Sequence, residues 1–238
     1  MAEFINTVDV IGDDALTDSI IDRSITEFKD NIITKLGDRA FCDCAALTDV
    51  DLPAVTSIGE SAFWNCTNLK SVSMAELPSI VESMFKSLKN LSSVDFPAAT
   101  SIRDYAFQGC SNLTSVNFPV ATSMGYASFH SCSNLTSVNF PVATSIDGAV
   151  FYGCSNLTAV ILRNTAQVCT LGHTGALANT PIKSGTGYIY VPRCLLSDDD
   201  ASKDYRRATN WSTFTTFRAL EDYTVDGTTT GELDPTKI

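Results

Sequence analysis

The chain has 238 residues, 44% hydrophobic and 18% charged, with a formal net charge of -11 at pH 7. That is long and apolar enough for a real core, which excludes a disordered chain. The acidic balance excludes a nucleic-acid reader or a protein for anionic membranes, since binding phosphate needs clustered Lys and Arg, and no apolar run approaches the roughly 20 residues that insert across a bilayer.

Residues 1–33 carry Asp9, Asp13, Asp14, Asp18, Asp22, Glu27 and Asp30 beside the apolar pairs Ile20-Ile21 and Ile32-Ile33. Ile25 and Phe28 stand 22 residues before Leu47 and Val50, whereas Asp30 stands 22 before Leu52. A degenerate, charged opening turn of this kind predicts an N-terminal cap over an otherwise open apolar face. The start, Met1-Ala2-Glu3-Phe4-Ile5-Asn6, lacks the basic and apolar regions of a secretory signal, which predicts cytosolic synthesis or delivery to a virion or surface by another route.

From Thr34 to Thr165 one phrase of 22 residues is written six times. Phenylalanine recurs at 41, 63, 85, 107, 129 and 151; leucine at 47, 69, 91, 113, 135 and 157; valine at 50, 72, 94, 116, 138 and 160. So strict a register predicts a solenoid, in which each turn lays its apolar residues on those of the turn before. In Leu113-Thr114-Ser115-Val116-Asn117-Phe118 the alternation predicts a strand with Val116 and Phe118 inward, ended by Pro119. The rest of the repeat buries Ile102, Phe107 and Cys110 and is expected to return by short 3₁₀ or irregular turns. The expected fold is thus an α/β solenoid with one parallel sheet along a face. The fourteen residues from Cys110 to Ser123 recur letter for letter from Cys132 to Ser145, which reads as a recent duplication.

Five of eight cysteines (Cys44, Cys66, Cys110, Cys132, Cys154) share one repeat position with Leu88. A slot that accepts either residue is small, buried and apolar, so the thiols are expected to be reduced and structural, with neither a metal nor a cofactor. After Thr165 the register stretches. Residues 166–223 predict an enlarged terminal turn with a strand at Gly187–Pro192, then a capping helix opened by Ser197-Asp198-Asp199-Asp200 and burying Tyr205, Ala208 and Trp211. Residues 224–238 read as a Thr/Gly-rich tail.

The phrase Ala106-Phe107-x-x-Cys110-x-x-Leu113-x-x-Val116-x-Phe118-Pro119 resembles the BspA-like leucine-rich repeats, also called the Treponema pallidum type. The resemblance covers all six repeats, and the Tyr190-Val191-Pro192 strand followed by Tyr205 to Trp211 resembles the ending such proteins carry. It implies a surface-borne or phage-borne protein that binds proteins or glycans. The period departs from the family's commoner 23, and the missing export signal favours a phage-type role.

Candidate residues lie where the phrase varies. The position after the repeat Phe holds Cys42, Trp64, Lys86, Gln108, His130 and Tyr152. This row reads either as a ligand-contact stripe or as unconstrained surface; Trp64 and Tyr152 favour the stripe because large aromatics are costly to expose. Beside it run Asp38, Glu60, Glu82, Asp104, Tyr126 and Gly148, a mostly acidic, solvated row. The sheet face offers Ser115, Asn117, Ser137 and Asn139 after Asp49 and Asp51; these either contact a ligand or hydrogen-bond along the sheet. His173 reads as a loop residue. No recognised motif places a nucleophile with either histidine, so the expectation is a non-enzymatic recognition and adhesion protein, or a structural spacer in a larger assembly.

Overall fold

Residues 22 apart become neighbours when each turn lies on the turn before it, and the backbone then forms parallel ladders along the stack. The computed structural model describes residues 10–11, 23–196, 200 and 203–220. One ladder holds β1 (Val10–Ile11), β3 (Lys35–Leu36) and β5 (Ser57–Ile58), and resumes as β7 (Ser79–Ile80), β9 (Ser101–Ile102), β11 (Ser123–Met124), β13 (Ser145–Ile146) and β15 (Thr170–Leu171). The other holds β2 (Glu27–Lys29), β4 (Asp49–Asp51), β6 (Ser71–Ser73), β8 (Ser93–Asp95) and β10 (Ser115–Asn117), and resumes as β12 (Ser137–Phe140), β14 (Ala159–Leu162), β16 (Tyr188–Val191) and β17 (Phe217–Ala219). Pairing is parallel and in register, Val50 beside Val72 and Ser123 beside Ser145.

The single sheet expected from sequence is therefore incomplete. The segment around Ser101-Ile102 in each repeat, too short to stand out as a strand, pairs with its copies into a second ladder. Of the two returns expected, short 3₁₀ or irregular turns, the structure has short turns. Arg39, Ser61, Ser83, Tyr105, Ala127 and Ala149, two residues before each Phe, adopt positive φ, as do Asp43, Asn65, Ser87, Gly109, Ser131 and Gly153, two residues after it. Left-handed backbone costs a non-glycine residue roughly 1–2 kcal/mol. Bonds between turns offset the cost: the N–H groups of Phe41, Phe107 and Phe129 donate to the carbonyls of Ala62, Ser128 and Val150, at 2.7, 2.7 and 3.0 Å. The left-handed pairs turn the chain sharply enough to aim every Phe inward.

Inside, the six repeat rings form one stack. Phe41, Phe63, Phe85, Phe107, Phe129 and Phe151 lie face to face with centroids 5.1 to 5.6 Å apart. Phe96, Phe118 and Phe140 make a second stack beside it. Each such contact adds about 0.5–1.5 kcal/mol beyond the area buried. Side chains stitch the outside in the same register. Thr100, Thr122 and Thr144 donate their hydroxyls to the carbonyl of the residue one turn earlier, and the Asn68 and Asn90 amides donate to Ala45 and Thr67.

At the N-terminal end Phe28 pairs opposite Val50 and sets its ring edge-on against Phe41, 4.8 Å away, closing the stack. The Asp30 carboxylate accepts from the N–H groups of Ile32 and Ile33, which explains an acid where later turns hold Leu52. The cap acids Asp9, Asp13, Asp14, Asp18 and Asp22 lie outside the described residues, as do most of the Ser197–Asp200 capping box and the 224–238 tail.

The expected C-terminal helix is overturned: no α-helix occurs among the described residues, and residues 203–210 run through turns into a 3₁₀ segment at Trp211–Thr213. Asp204 is buried and accepts from both the backbone and the guanidinium of Arg206, and such local bonds compete with a helix. Burial alone would raise the Asp204 carboxyl, but the Arg206 bonds and the charge of Arg207 hold it below its usual value. The expected apolar residues still close the end. The Tyr205 hydroxyl accepts from Cys169 N–H at 2.8 Å, and Trp211 Nε1 donates to the Cys169 carbonyl at 2.6 Å. No described helix is long and apolar enough to cross a membrane.

Ser128 occupies the buried column held elsewhere by Ala40, Ala62, Met84, Ala106 and Val150, and its hydroxyl has no hydrogen-bond partner. Ser128→Ala is expected to stabilise the chain by about 1 kcal/mol, since an orphaned buried hydroxyl retains only its desolvation cost. A urea unfolding midpoint at or below that of the parent chain would refute this.

Candidate functional site

From Trp64 to Tyr152 the residue after each core Phe points outward because the Phe points in, and the left-handed turn ladder holds it in place. Trp64, Lys86 and Tyr152 are exposed, Gln108 and His130 half-buried. Cys42 departs from the expected exposed row: it is fully buried and its thiol lies against Asp43. The turn spacing sets the His130 and Tyr152 rings face to face, centroids 4.9 Å apart and 12° from parallel. His130 Nδ1 is 2.8 Å from the Ser131 hydroxyl.

The neighbouring row, read from sequence as solvated acids, divides in two. Asp38 and Asp104 are bound into the scaffold, each Oδ1 accepting the N–H of the residue one turn later, Glu60 and Tyr126, at 2.8 Å. Gly125 must be glycine for this to happen, because a Cβ there would sit 2.8 Å from the Asp104 nitrogen. Where the row changes to tyrosine it becomes aromatic surface. Tyr126 packs edge-on to Tyr105 at 5.6 Å, and the Lys86 ammonium sits 5.2 Å above the Tyr105 ring. Gly148 leaves the next space clear, its Cβ position lying 3.5 Å from the Tyr126 ring and 3.4 Å from His173 Cβ. His173 is a loop residue whose Nδ1 accepts from Gly175 N–H at 2.9 Å. Exposures of 50% for Trp64, 44% for Tyr126 and 39% for Tyr152 make these the large exposed aromatics of the described surface, and all three stand on this one edge.

The outer faces are polar over β2 to β10 and over the shorter ladder, whereas over β14 and β16 Ile161, Tyr190 and Leu220 form a small apolar cluster with Ala159 and Tyr188 against it. Over β2 to β10 lies a groove of about 510 Å³ lined by Lys29, Asp49, Asp51, Ser73, Asp95 and Asn117. The sequence-nominated residues split here. Ser115 and Asn117 line that groove, and the Asn117 amide donates to Asp95 Oδ1 at 2.7 Å. Ser137 and Asn139 belong to the separate β12–β17 sheet, where Asn139 accepts from Arg163 Nε at 3.3 Å. Bonds from Ser71 and Thr48 hold the Asp49 carboxyl below its usual value. A second groove of about 660 Å³ runs over the other ladder, among Ser101, Arg103, Ser123, Ser145 and Asp147. Sequence reasoning missed it, although serine recurs at 57, 79, 101, 123 and 145 and was a legible signal.

The repeat cysteines are buried as expected, but their slot is more than apolar. Cys66, Cys110, Cys132 and Cys154 each donate the thiol to the carbonyl of the Phe one turn earlier, at 3.0 to 3.2 Å. Burial pushes the Cys44 thiol up to about 11 and the Cys110 and Cys154 thiols up to about 12. Leu88 fills the same volume without the bond. No group of His, Cys, Asp and Glu among the described residues could hold a metal ion.

The model of the BspA type leucine-rich repeat region matches residues 2–100 and 78–187, in six copies. Among solved structures the chain is similar to a leucine-rich repeat protein from Bacteroides ovatus, 18% identical with a TM-score of 0.52, over 82% of this chain and 54% of that one. It is also similar to a leucine-rich cell surface protein from Faecalibacterium prausnitzii, 19% identical with a TM-score of 0.47, over 80% of this chain and 66% of that one. The T. pallidum leucine-rich repeat protein matches at 24% identity and a TM-score of 0.34, over 46% of this chain and 63% of that one. The chain spans about half the length of the Bacteroides ovatus protein, and at such identities the likeness shows the fold alone. No curated protein matches it.

Two outcomes are expected from this chemistry. In native protein at pH 8 a thiol reagent should modify Cys194, the exposed cysteine, and reach the remaining seven only on unfolding, because all seven are buried and burial raises each thiol, leaving little thiolate to react. Rapid modification of more than one thiol per chain would contradict the burial. For Asp49, a lowered carboxyl contributes stability that is complete above the unfolded value near ~3.9 and disappears as pH falls through the folded value. Asp49→Asn should therefore flatten the loss of stability below about pH 4, measured by thermal melts across pH, while an unchanged acid limb would speak against the Ser71 and Thr48 bonds.

Proposed function

The chain belongs to the BspA-type leucine-rich repeat family, and on that premise we propose that it is a non-enzymatic recognition and adhesion protein. Its ligand is a protein or a glycan, held on the repeat surface in a bacterial-surface or phage-associated setting. The observation that carries this reading is the placement of Trp64, Tyr126 and Tyr152, exposed together on one edge of the solenoid. Aromatic side chains held rigidly at a surface lose little entropy on binding and contribute heavily to recognition. The non-enzymatic reading is supported by the groups that would otherwise do chemistry. The Nδ1 atoms of His130 and His173 are engaged in local bonds with Ser131 and Gly175, and burial keeps the repeat thiols protonated.

A second reading, a structural spacer in a surface or virion assembly, draws on the hydroxyl and amide ladders that tie successive turns together. The two separate in one experiment. Replacing Trp64, His130 and Tyr152 together with Ala should leave the melting temperature within a few degrees of the parent, since all three are surface residues. Attachment to intact bacterial and mammalian cells should fall by about tenfold or more, the equivalent of roughly 1.4 kcal/mol. Attachment unchanged by the triple substitution would remove the edge as a binding surface and leave the spacer.

A further inference from the structure

The two halves of the longer ladder do not meet. β10 and β12 carry the same Ser-Val-Asn letters one turn apart, yet β10 closes the sheet begun by β2, and β12 opens the sheet that runs to β17. We infer that this seam between the fourth and fifth repeats is a two-state joint, zipped or parted on the longer-ladder face while the rest of the turn stays closed.

The bonds that cross neighbouring boundaries mark the gap. Thr114 N–H donates to the Ser92 carbonyl at 2.9 Å and Thr158 N–H to the Thr136 carbonyl at 2.8 Å, while Phe96 N–H donates forward to the Asn117 carbonyl at 3.2 Å. Among the described residues the corresponding bonds, Thr136 to Thr114 and Phe118 to Asn139, are not made. Val116 is half-buried, where Val50, Val72, Val94, Val138 and Val160 are at most 4% exposed. Inside, the Phe118 and Phe140 rings stand 6.5 Å apart against 5.8 Å for Phe96 and Phe118. The other sides remain shut. Phe107 stacks on Phe129 at 5.1 Å, the N–H groups of Phe107 and Gly109 donate to Ser128 and His130, and Ser123 pairs with both Ser101 and Ser145. The gap is therefore a wedge that opens on one face.

Nothing in the residues forbids closure. The shorter ladder is also interrupted, between β5 and β7, but there Pro78 replaces the threonine whose N–H crosses the boundary in other turns, so that break is permanent. At the seam every donor and acceptor of a ladder is present, and an alternative set of bonds holds it parted. In the second and third repeats the side-chain amides of Asn68 and Asn90 donate to the carbonyls of Ala45 and Thr67. At the seam the equivalent carbonyl, that of Ser111, accepts instead from the Asn134 backbone N–H at 3.1 Å and the Ser133 hydroxyl at 3.3 Å, while the Asn134 amide reaches Asn112 Oδ1 at 3.3 Å. One acceptor thus serves two arrangements, as a bistable element requires. Asn117, bound back to Asp95, and Asn139, bound onward to Arg163, draw the two strands toward their own sheets. Ser115, Val116 and Asn117 also line the groove over β2 to β10, so the state of the joint sets the shape of that groove's end.

Amide hydrogen exchange of the full chain, followed residue by residue by NMR, tests the joint against controls built into the repeats. Thr114 and Thr136 both follow Leu, and Phe118 and Phe140 both follow Asn, so each pair shares its intrinsic rate. Thr136 should exchange about 100-fold faster than Thr114, and Phe118 about 100-fold faster than Phe140, because an opening confined to the seam exposes one member of each pair. Ser133→Ala removes a bond of the parted state and should slow Thr136 about threefold, whereas Asn134→Ala removes the side-chain donor of the zipped state and should speed it by a similar factor. Thr114 should be unmoved by either. General destabilisation would drive both variants the same way. The inference is overturned if Thr136 is as protected as Thr114, or if the two substitutions do not move Thr136 in opposite directions.

Discussion

One aromatic ring per turn, stacked on the ring before it, is the constraint from which the rest of this structure follows. Ring centroids 5.1 to 5.6 Å apart hold the six turns that carry the Phe in one register, and the enlarged turn that follows keeps the ladder pairing without a ring in the stack. The backbone obeys the same spacing through its ladders, and the Thr and Asn side chains repeat it outside. Each turn therefore gains most of its stability from its neighbours, and the two ends must be closed by something other than another turn. Phe28, edge-on to Phe41, does this at one end; Tyr205 and Trp211, clamped to the backbone of Cys169, do it at the other.

The same constraint produces the surface. With Phe aimed inward by two left-handed residues, the position after it points out in every turn from Trp64 to Tyr152, Cys42 alone being buried, and successive turns place those side chains in a row. A row built in this way is rigid without contributing to the core. Its residues can vary freely, and Trp64, Lys86, Gln108, His130 and Tyr152 share no chemistry. The cost of left-handed backbone at non-glycine residues is thus linked to presentation as well as packing, since it positions both the buried ring and the exposed one.

Much of the fold was legible because its signal repeats. Six copies of Phe, Leu and Val at one interval specify which residues are buried and which strands are neighbours, and Val50 beside Val72 is the direct consequence. The second ladder escaped notice because a strand of two residues has no alternation to detect, although its serine column was present. The C-terminal helix was expected from acids after a serine and three apolar residues at plausible spacing. Tyr205 and Trp211 are buried as expected and Ala208 half-buried, but Asp204 is bonded to Arg206, and the chain turns there. The stripe was legible as variation among constant letters; Tyr105 was not, because nothing in a sequence indicates that a tyrosine two residues before a core Phe takes up left-handed backbone and meets Tyr126 one turn on.

Two identical segments separate what each level decided. Ser115-Val116-Asn117 and Ser137-Val138-Asn139 are the same three letters in the same repeat position. By itself the sequence determined that both are strands with valine inward, because the alternation and the register are local and periodic. Only the tertiary structure decided that the first ends one sheet, with Val116 half-buried and Asn117 donating to Asp95. The second begins another, with Val138 buried and Asn139 accepting from Arg163. The difference lies in the neighbouring turns: a side chain's partner is set by what stands one turn away, and that identity is not written in its own repeat.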